Sequence, residues 1–461
     1  MKWFPRAFIL LLLACFVVIP PILAGYQNLE RASRASQASQ ASAYYEAAAK
    51  LLFWLPELYE KAGLLETSDP QRAIRLLSLA RQNSVLSPAG QLALGDAYQS
   101  LGETDKALKE WEDLLARKLE TPSVGQRLVG KYHASQQYTD EERVLSRWLE
   151  ASPFDPQASE SMGVLLAASA DPRALPLLET AARDSSQTAA RLERLISALK
   201  TSSPQRTYLL TLCGQALAQM GEWPLAEQAL TLAVKVDEQY ASAWAWLGLV
   251  RQHNHTAQAL QALERAIQLE GNSAPLRAMF GTYWQQSGDS RKARDEFETA
   301  TRLEPGNPTW WLALAGSEAQ QDLPAALNAY TQAIHLDPQN ATIWYALATF
   351  CVEQNAFVEE YGLNAALRAF ALEPKNPLYM DMLGRAQMLT GQAQAAEVMY
   401  KKALESAEPD QLALFHLHLG LLYLQTDRSA QAKNELELTR KSDALGPYGA
   451  QAEKLLERYF P

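Results

Sequence analysis

The sequence predicts an all-α protein built as a linear stack of helix pairs, and three observations carry that expectation. The string TRLEPGNPTWWLALAG at 301–316 returns in altered form as IHLDPQNATIWYALAT at 334–349 and as FALEPKNPLYMDMLGR at 370–385. Its markers Pro305, Pro338 and Pro374 stand 33 and 36 residues apart, the range of helical repeat arrays. Between such strings the apolar residues recur at helical spacing, and strand signals are absent.

Composition narrows the function classes. With 48% hydrophobic and 20% charged residues among 461, the chain buries enough apolar surface to fold. A net charge of −10 and no cluster of Lys and Arg argue against a nucleic-acid partner, which needs cations along a phosphate backbone. Cys15, Cys213 and Cys351 are far apart, so neither a disulfide framework nor a zinc site is expected, and the latter two read as small buried residues.

Taken in order, residues 1–25 form a signal-anchor or transmembrane segment. Lys2 and Arg6 precede an apolar run from Ala7 to Ala24. Those 18 residues would rise about 27 Å as a helix, close to a bilayer's hydrocarbon thickness. A retained anchor is the reading adopted; cleavage after Ala24, or lipidation at Cys15 in a Leu12-Leu13-Ala14-Cys15 box, are its alternatives. All three export the remaining chain, because the cationic flank before the apolar run stays cytoplasmic. The expected location is therefore the cytoplasmic membrane, single-pass, with the repeats extracytoplasmic. Residues 26–42, rich in Ala and Ser, read as a tether, and the alternative is an extension of the next helix.

From residue 43 the pattern is helix, turn, helix, turn. In Ala274–Asn307, Phe280 and Trp284 line one helix around Gly281, Gly288 breaks it, and Ala293, Phe297 and Ala300 line the next before Pro305. Small residues mark where helices approach closely. The same order is carried by Trp244, Leu247 and Gly248; by Trp311, Leu314 and Ala315; by Trp344, Leu347 and Ala348; by Met380, Leu383 and Gly384; and by Leu419 and Gly420. Second helices agree in Ala226, Leu230 and Ala233, in Ala396, Tyr400 and Ala403, and in Ala432 and Leu436.

These positions resemble the tetratricopeptide repeat, a helix pair of about 34 residues. The resemblance implies a right-handed superhelical solenoid of helix-turn-helix units. It is regular over 206–446 and degenerate over 43–205, where Leu94, Gly95, Tyr98, Gly102, Ala107 and Trp111 make a clear repeat. Within 122–203 the stretch DPRALPLLETAARDSSQ is too short for a full second helix, and an extra helix is expected from Gln187 to Lys200. Residues 447–461 form a C-terminal capping helix with Leu455 and Leu456 on its apolar side.

No catalytic pattern competes with this reading. His253 and His255, like His416 and His418, are two apart and point to different sides of a helix. Glu141-Glu142 and Glu359-Glu360 read as solvated helix faces. No enzyme activity, cofactor or metal is expected.

The resemblance further implies that first helices line a concave groove for a protein or peptide partner. By repeat phase its lining is Thr211, Gln215 and Gln219; Gln252 and His253; Thr282, Gln285 and Gln286; Gly316 and Gln320; Tyr345, Thr349 and Glu353; and Asp381 and Arg385. This set is mostly neutral and polar, and amides both donate and accept, which suits an extended backbone or sugar hydroxyls. The Lys, Asn and Arg set with which some family members capture a chaperone tail is absent. Trp244, Trp311 and Trp344 fall at core positions rather than at a sugar-stacking surface. The function expected is a non-catalytic, membrane-tethered scaffold for cell-envelope complex assembly. The alternative is a recognition subunit that binds glycan or a glycosylated client for surface-polysaccharide or glycosyl-transfer machinery.

Overall fold

The computed structural model describes residues 4–119, 121–201, 203 and 205–460, with the side chains of the first helix described from Ile19 onward. Among the described residues there are 26 α-helices, one π-turn and no strand. The chain is an all-α solenoid of helix-turn-helix units, divided into two compact units, Met1–Val236 and Asp237–Pro461.

The N-terminal unit holds α1 (Phe4–Arg34), α2 (Ala38–Leu51), α3 (Glu57–Leu65), α4 (Pro70–Asn83), α5 (Pro88–Ser100), α6 (Thr104–Ala116) and α7 (Thr121–Ala134). It continues with α8 (Tyr138–Ala151), α9 (Pro156–Ala167), α10 (Ala174–Ala182), α11 (Ser186–Lys200), α12 (Arg206–Gln219) and α13 (Trp223–Val236). Successive helices pack antiparallel. The short α10 and the extra α11 lie where the sequence expects them. The unit boundary falls one helix pair after the boundary read at 205/206, because α12 packs on α11 and its following turn is bonded back to α7.

The stretch 26–42 is largely helical, as in the alternative reading of it. It forms the last turns of α1, a bend at 35–37 and the first turn of α2. Ala32, Ala41 and Ser42 are buried, and Ser42 Oγ donates to Glu66 Oε2 at 3.2 Å. Small side chains that seemed unable to bury surface let α1 and α2 approach closely. The anchor expected over Ala7–Ala24 falls largely on side chains outside the described residues; among the described residues no helix is long and apolar enough to cross a membrane.

The C-terminal unit holds α14 (Ala241–His253), α15 (Ala259–Leu269), α16 (Ala274–Gln286), α17 (Ser290–Leu303), α18 (Pro308–Glu318), α19 (Leu323–Leu336) and α20 (Ala341–Glu353). The π-turn Val358–Gly362 leads into α21 (Leu363–Leu372), then α22 (Pro377–Leu389), α23 (Ala393–Glu405), α24 (Leu412–Gln425), α25 (Ser429–Ser442) and α26 (Pro447–Tyr459). Helix α26 buries Ala452 and Leu456 against Leu417 and Leu436.

The recurring string now has a mechanism. Asn307, Asn340 and Asn376 are N-caps whose side-chain oxygens accept from Thr309, Thr342 and Leu378 backbone N–H at 3.1 Å each, satisfying donors that the helix start leaves open. The indole Nε1 of Trp311 and Trp344 donates to the carbonyls of Pro305 and Pro338 at 2.9 Å, and that of Trp244 to Glu238 at 3.0 Å. These tryptophans are half-buried turn locks. Small residues in first helices receive a large side chain from the second: a Cβ on Gly281 would stand 2.7 Å from Phe297, and one on Gly384 2.8 Å from Tyr400.

Polar struts repeat with the packing. Arg127 bonds Asp96, Arg143 bonds Glu112, Arg173 bonds Glu142 and Arg428 bonds Glu397, each pair 31 residues apart. Burial alone would raise the Glu397 carboxyl, but hydrogen bonds from Lys401, Arg428 and Tyr423 outweigh it and hold its pKa at about 2.

Candidate interaction groove

In the C-terminal unit the first helices touch one another along two runs, α14 with α16 and α18, and α20 with α22 and α24. Side chains at the groove phase therefore share a lining. Gln285, Gln286, Gly316, Gln320, Glu353 and His253 are exposed there, and Thr282, Thr349 and Arg385 are half-buried. Thr282 Oγ1 spends its donor on the Ala278 carbonyl of its own helix at 3.0 Å. Gln252 reaches across to α16, donating to the Tyr283 carbonyl at 2.8 Å and to Ser287 Oγ at 3.1 Å, so it braces the lining as well as facing it.

Further along, Tyr345 and Tyr379 lie ring to ring at 5.0 Å and 35°, and burial raises the Tyr345 hydroxyl above its usual pKa. Asp381 corrects the phase assignment. It is 4% exposed and bonded to His418 Nδ1 at 2.7 Å, so its carboxylate ties α22 to α24 beneath the surface. His416, two residues before His418, bonds Glu435 of α25 at 2.6 Å, on the other side of the helix.

The N-terminal unit carries its own stretch of lining. Thr211 is a second correction: it is 2% exposed and donates to the Thr207 carbonyl one turn back, so it belongs to the packing of α12. Gln215 and Gln219 are accessible. With Tyr208 of α12 and Glu193, Arg194 and Ser197 of α11 they line an open pocket of about 500 Å³, in which Arg194 donates to Gln219 Oε1 at 2.6 Å.

One cluster was not visible in the sequence. His133, at the end of α7, is gripped on both ring nitrogens: Nδ1 faces Glu141 Oε1 and Oε2 at 3.1 Å, and Nε2 faces Glu222 Oε2 at 3.0 Å in the α12–α13 turn. Glu141 is 1% exposed, which overturns its reading as part of a solvated face. Its partners stand 8 and 89 residues from His133 in sequence, and no local motif announces the second. The Glu141 hydrogen bond, then that of Glu222, raises the His133 pKa from 6.5 to about 10.

A pKa raised on folding adds stability that is complete below the unfolded value and lost as pH climbs through the folded one. The imidazole is about a third exposed, so solvent screening reduces the effect, and we expect the N-terminal unit to lose about 1–2 kcal/mol between pH 6.5 and 10 through this group. Melting the wild type and His133→Gln across that range checks it. The gap between the two proteins should shrink as pH rises; a constant gap would mean that charge on His133 contributes nothing.

Among the described residues no group of three or more His, Cys, Asp or Glu is placed to hold a metal ion. Cys213 and Cys351 are buried, and desolvation pushes both thiols up to about 12, as expected of packing residues.

Comparison with known proteins adds the following. A family model described as tetratricopeptide repeat matches residues 278–323, and one described as TPR repeat matches residues 319–350. No curated protein matches the sequence. Among solved structures the chain is similar to a tetratricopeptide repeat protein from Parabacteroides merdae, with 13% identity and a TM-score of 0.43, covering 55% of this chain and 99% of that one. It is similar to yeast Tom70, with 15% identity and a TM-score of 0.42 over 97% of this chain and 96% of that one. A third is YrrB, a TPR protein with an unusual peptide-binding site, at 16% identity and a TM-score of 0.33 over 42% of this chain and 98% of that one. These likenesses are distant, and the assignment rests on the two family models together with the helix pairing. Across residues 278–350 the solenoid is made of tetratricopeptide repeats.

Proposed function

We propose that the chain is a non-catalytic interaction scaffold that holds an extended polypeptide along the first helices of its C-terminal unit. The observation that carries this reading is the exposed amide row of Gln285 and Gln286 on α16 and Gln320 in the turn after α18, with α16 braced by Gln252 of α14 and, further along, α22 braced to α24 by the Asp381–His418 pair. Primary amides can pair with both the N–H and the C=O of an extended backbone. A rigid lining lowers the ordering cost of binding. Sugar stacking is not favoured by Trp244, Trp311 or Trp344, whose rings are half-buried and packed against the repeat cores.

We further propose that residues 1–25 tether the chain to the cytoplasmic membrane and that the repeats work on its outer side, in the assembly of an envelope complex. The apolar run and its cationic flank support this.

Affinity capture from solubilised membranes tests the groove, comparing wild type with the combined variant Gln285→Glu, Gln286→Glu and Gln320→Glu. The expected result is a polypeptide retained by wild type and lost by a variant of unchanged melting temperature, with α16 and α18 amides protected from exchange by the captured polypeptide. Identical captures would remove the groove from the proposal. Protease added to spheroplasts should cleave the repeats; protection would reverse the topology.

A further inference from the structure

Exposed large apolar side chains recur on the turns at one end of the N-terminal unit. On α1 the exposed side chains are first apolar, Ile19, Leu23 and Tyr26 at 47%, 56% and 50%, and then polar, Gln27, Glu30, Arg31 and Arg34. The change falls just past Ala24, where the apolar run of the sequence ends. Helix α2 returns antiparallel along α1, and buried Leu52 at its end packs directly on Gly25. The α2–α3 turn is thereby held beside the polarity change on α1.

That turn presents Phe53 and Trp54 to solvent, 81% and 43% exposed, with their rings edge to face at 5.1 Å. Helix α3 runs away from this level and α4 comes back, so the α4–α5 turn lies at the same end of the unit, and it carries Val85 at 86% exposure. Two aromatics and an aliphatic on successive turns of that end, next to a helix whose surface switches from apolar to charged, form an apolar rim. Water can bond the Trp54 indole N–H, but the exposed hydrocarbon of such a rim is unfavourable in water. A bilayer boundary suits both: Trp and Tyr favour the depth at which one side of the ring meets hydrocarbon and the other meets headgroups.

We propose that this end of the N-terminal unit is seated in the headgroup layer of a lipid bilayer, with Tyr26, Phe53 and Trp54 at the water–hydrocarbon boundary and Val85 beside them. The inference rests on the anchor reading of residues 1–25. It adds that the repeats do not hang from a flexible linker: α1 is one continuous helix to Arg34, clasped by α2, so the depth of the anchor fixes the height of the first repeats above the membrane.

The full-length chain, reconstituted into vesicles of phosphatidylcholine and phosphatidylglycerol, tests this with a benzophenone photocrosslinker. It is placed by Phe53→p-benzoylphenylalanine, by Val85→p-benzoylphenylalanine and, as a control on the opposite α5–α6 turn, by Leu101→p-benzoylphenylalanine; Leu101 is likewise exposed, at 39%. Vesicle flotation is scored beside lipid adducts in each sample. The expected result is flotation of all three, with at least about tenfold more lipid adduct at 53 and 85 than at 101. Flotation with equal adducts at the three positions, or with protein in place of lipid adducts at 53, overturns the seat and leaves the anchor standing. Failure to float overturns the anchor and the seat together.

Discussion

Replacing Phe297 with alanine is expected to lower the stability of the C-terminal unit by about 3–5 kcal/mol, the range for deleting a fully buried aromatic ring. Phe297 is 2% exposed, and it packs among Ala278, Ala293, Ala300, Leu314 and Ala315. Its ring fills the space that Gly281 leaves on α16. Apart from Leu314 those neighbours are alanines and glycine on rigid helices, with little side chain to move into the void, so most of the cavity term is retained. Leu303→Ala on the same helix is the control, since Leu303 is 38% exposed and its removal should cost well under about 1 kcal/mol. Urea unfolding of both variants decides the matter: equal losses would mean that the inward face of α17 is misassigned.

The second large effect comes from the opposite manipulation. Gly384→Leu should destabilise by about 1–3 kcal/mol, because it overpacks a contact that has no slack. The added carbon meets the ring of Tyr400, which is fully buried on α23. Even Gly384→Ala brings its Cβ to 2.8 Å of that ring, closer than side chains tolerate, so it too should lower the melting temperature despite alanine's better helix propensity. Pairing Gly384→Leu with Tyr400→Leu should recover part of the loss, since Leu436 occupies the equivalent place beneath Gly420. A melt unchanged by Gly384→Leu would show that α22 does not press its glycine against α23.

Most of the architecture was legible because it is set by residues acting within one or two turns of each other. An asparagine before a helix, a proline after one, a glycine opposite an aromatic and an apolar stripe are local rules repeated at a fixed period. The extra helix at Ser186–Lys200 follows from the same rules. What escaped was set by distance and by burial. Thr211 and Asp381 hold groove positions by phase, but phase gives an angle around a helix and not the depth of a side chain beneath its neighbours. Asp381 sinks because His418 comes from the next first helix to meet it. The Ala-Ser stretch 31–42 has no apolar face, yet Ala32 and Ala41 are buried where α1 and α2 approach closely. Glu141 looked like one of a surface pair until His133 was placed beside it.

The bond between His133 and Glu222 bears on how the N-terminal unit comes apart. A linear repeat array behaves like a one-dimensional chain of nearest-neighbour couplings, so it can unravel from an end, one pair at a time. A bond spanning 89 residues turns part of that line into a loop. Helix α12 cannot peel away without opening a link that α7 also holds, and α8 to α11 lie between them in the chain. The unit should therefore lose α7 through α12 more nearly as one cooperative block, with forms unravelled inside it made rarer by that link.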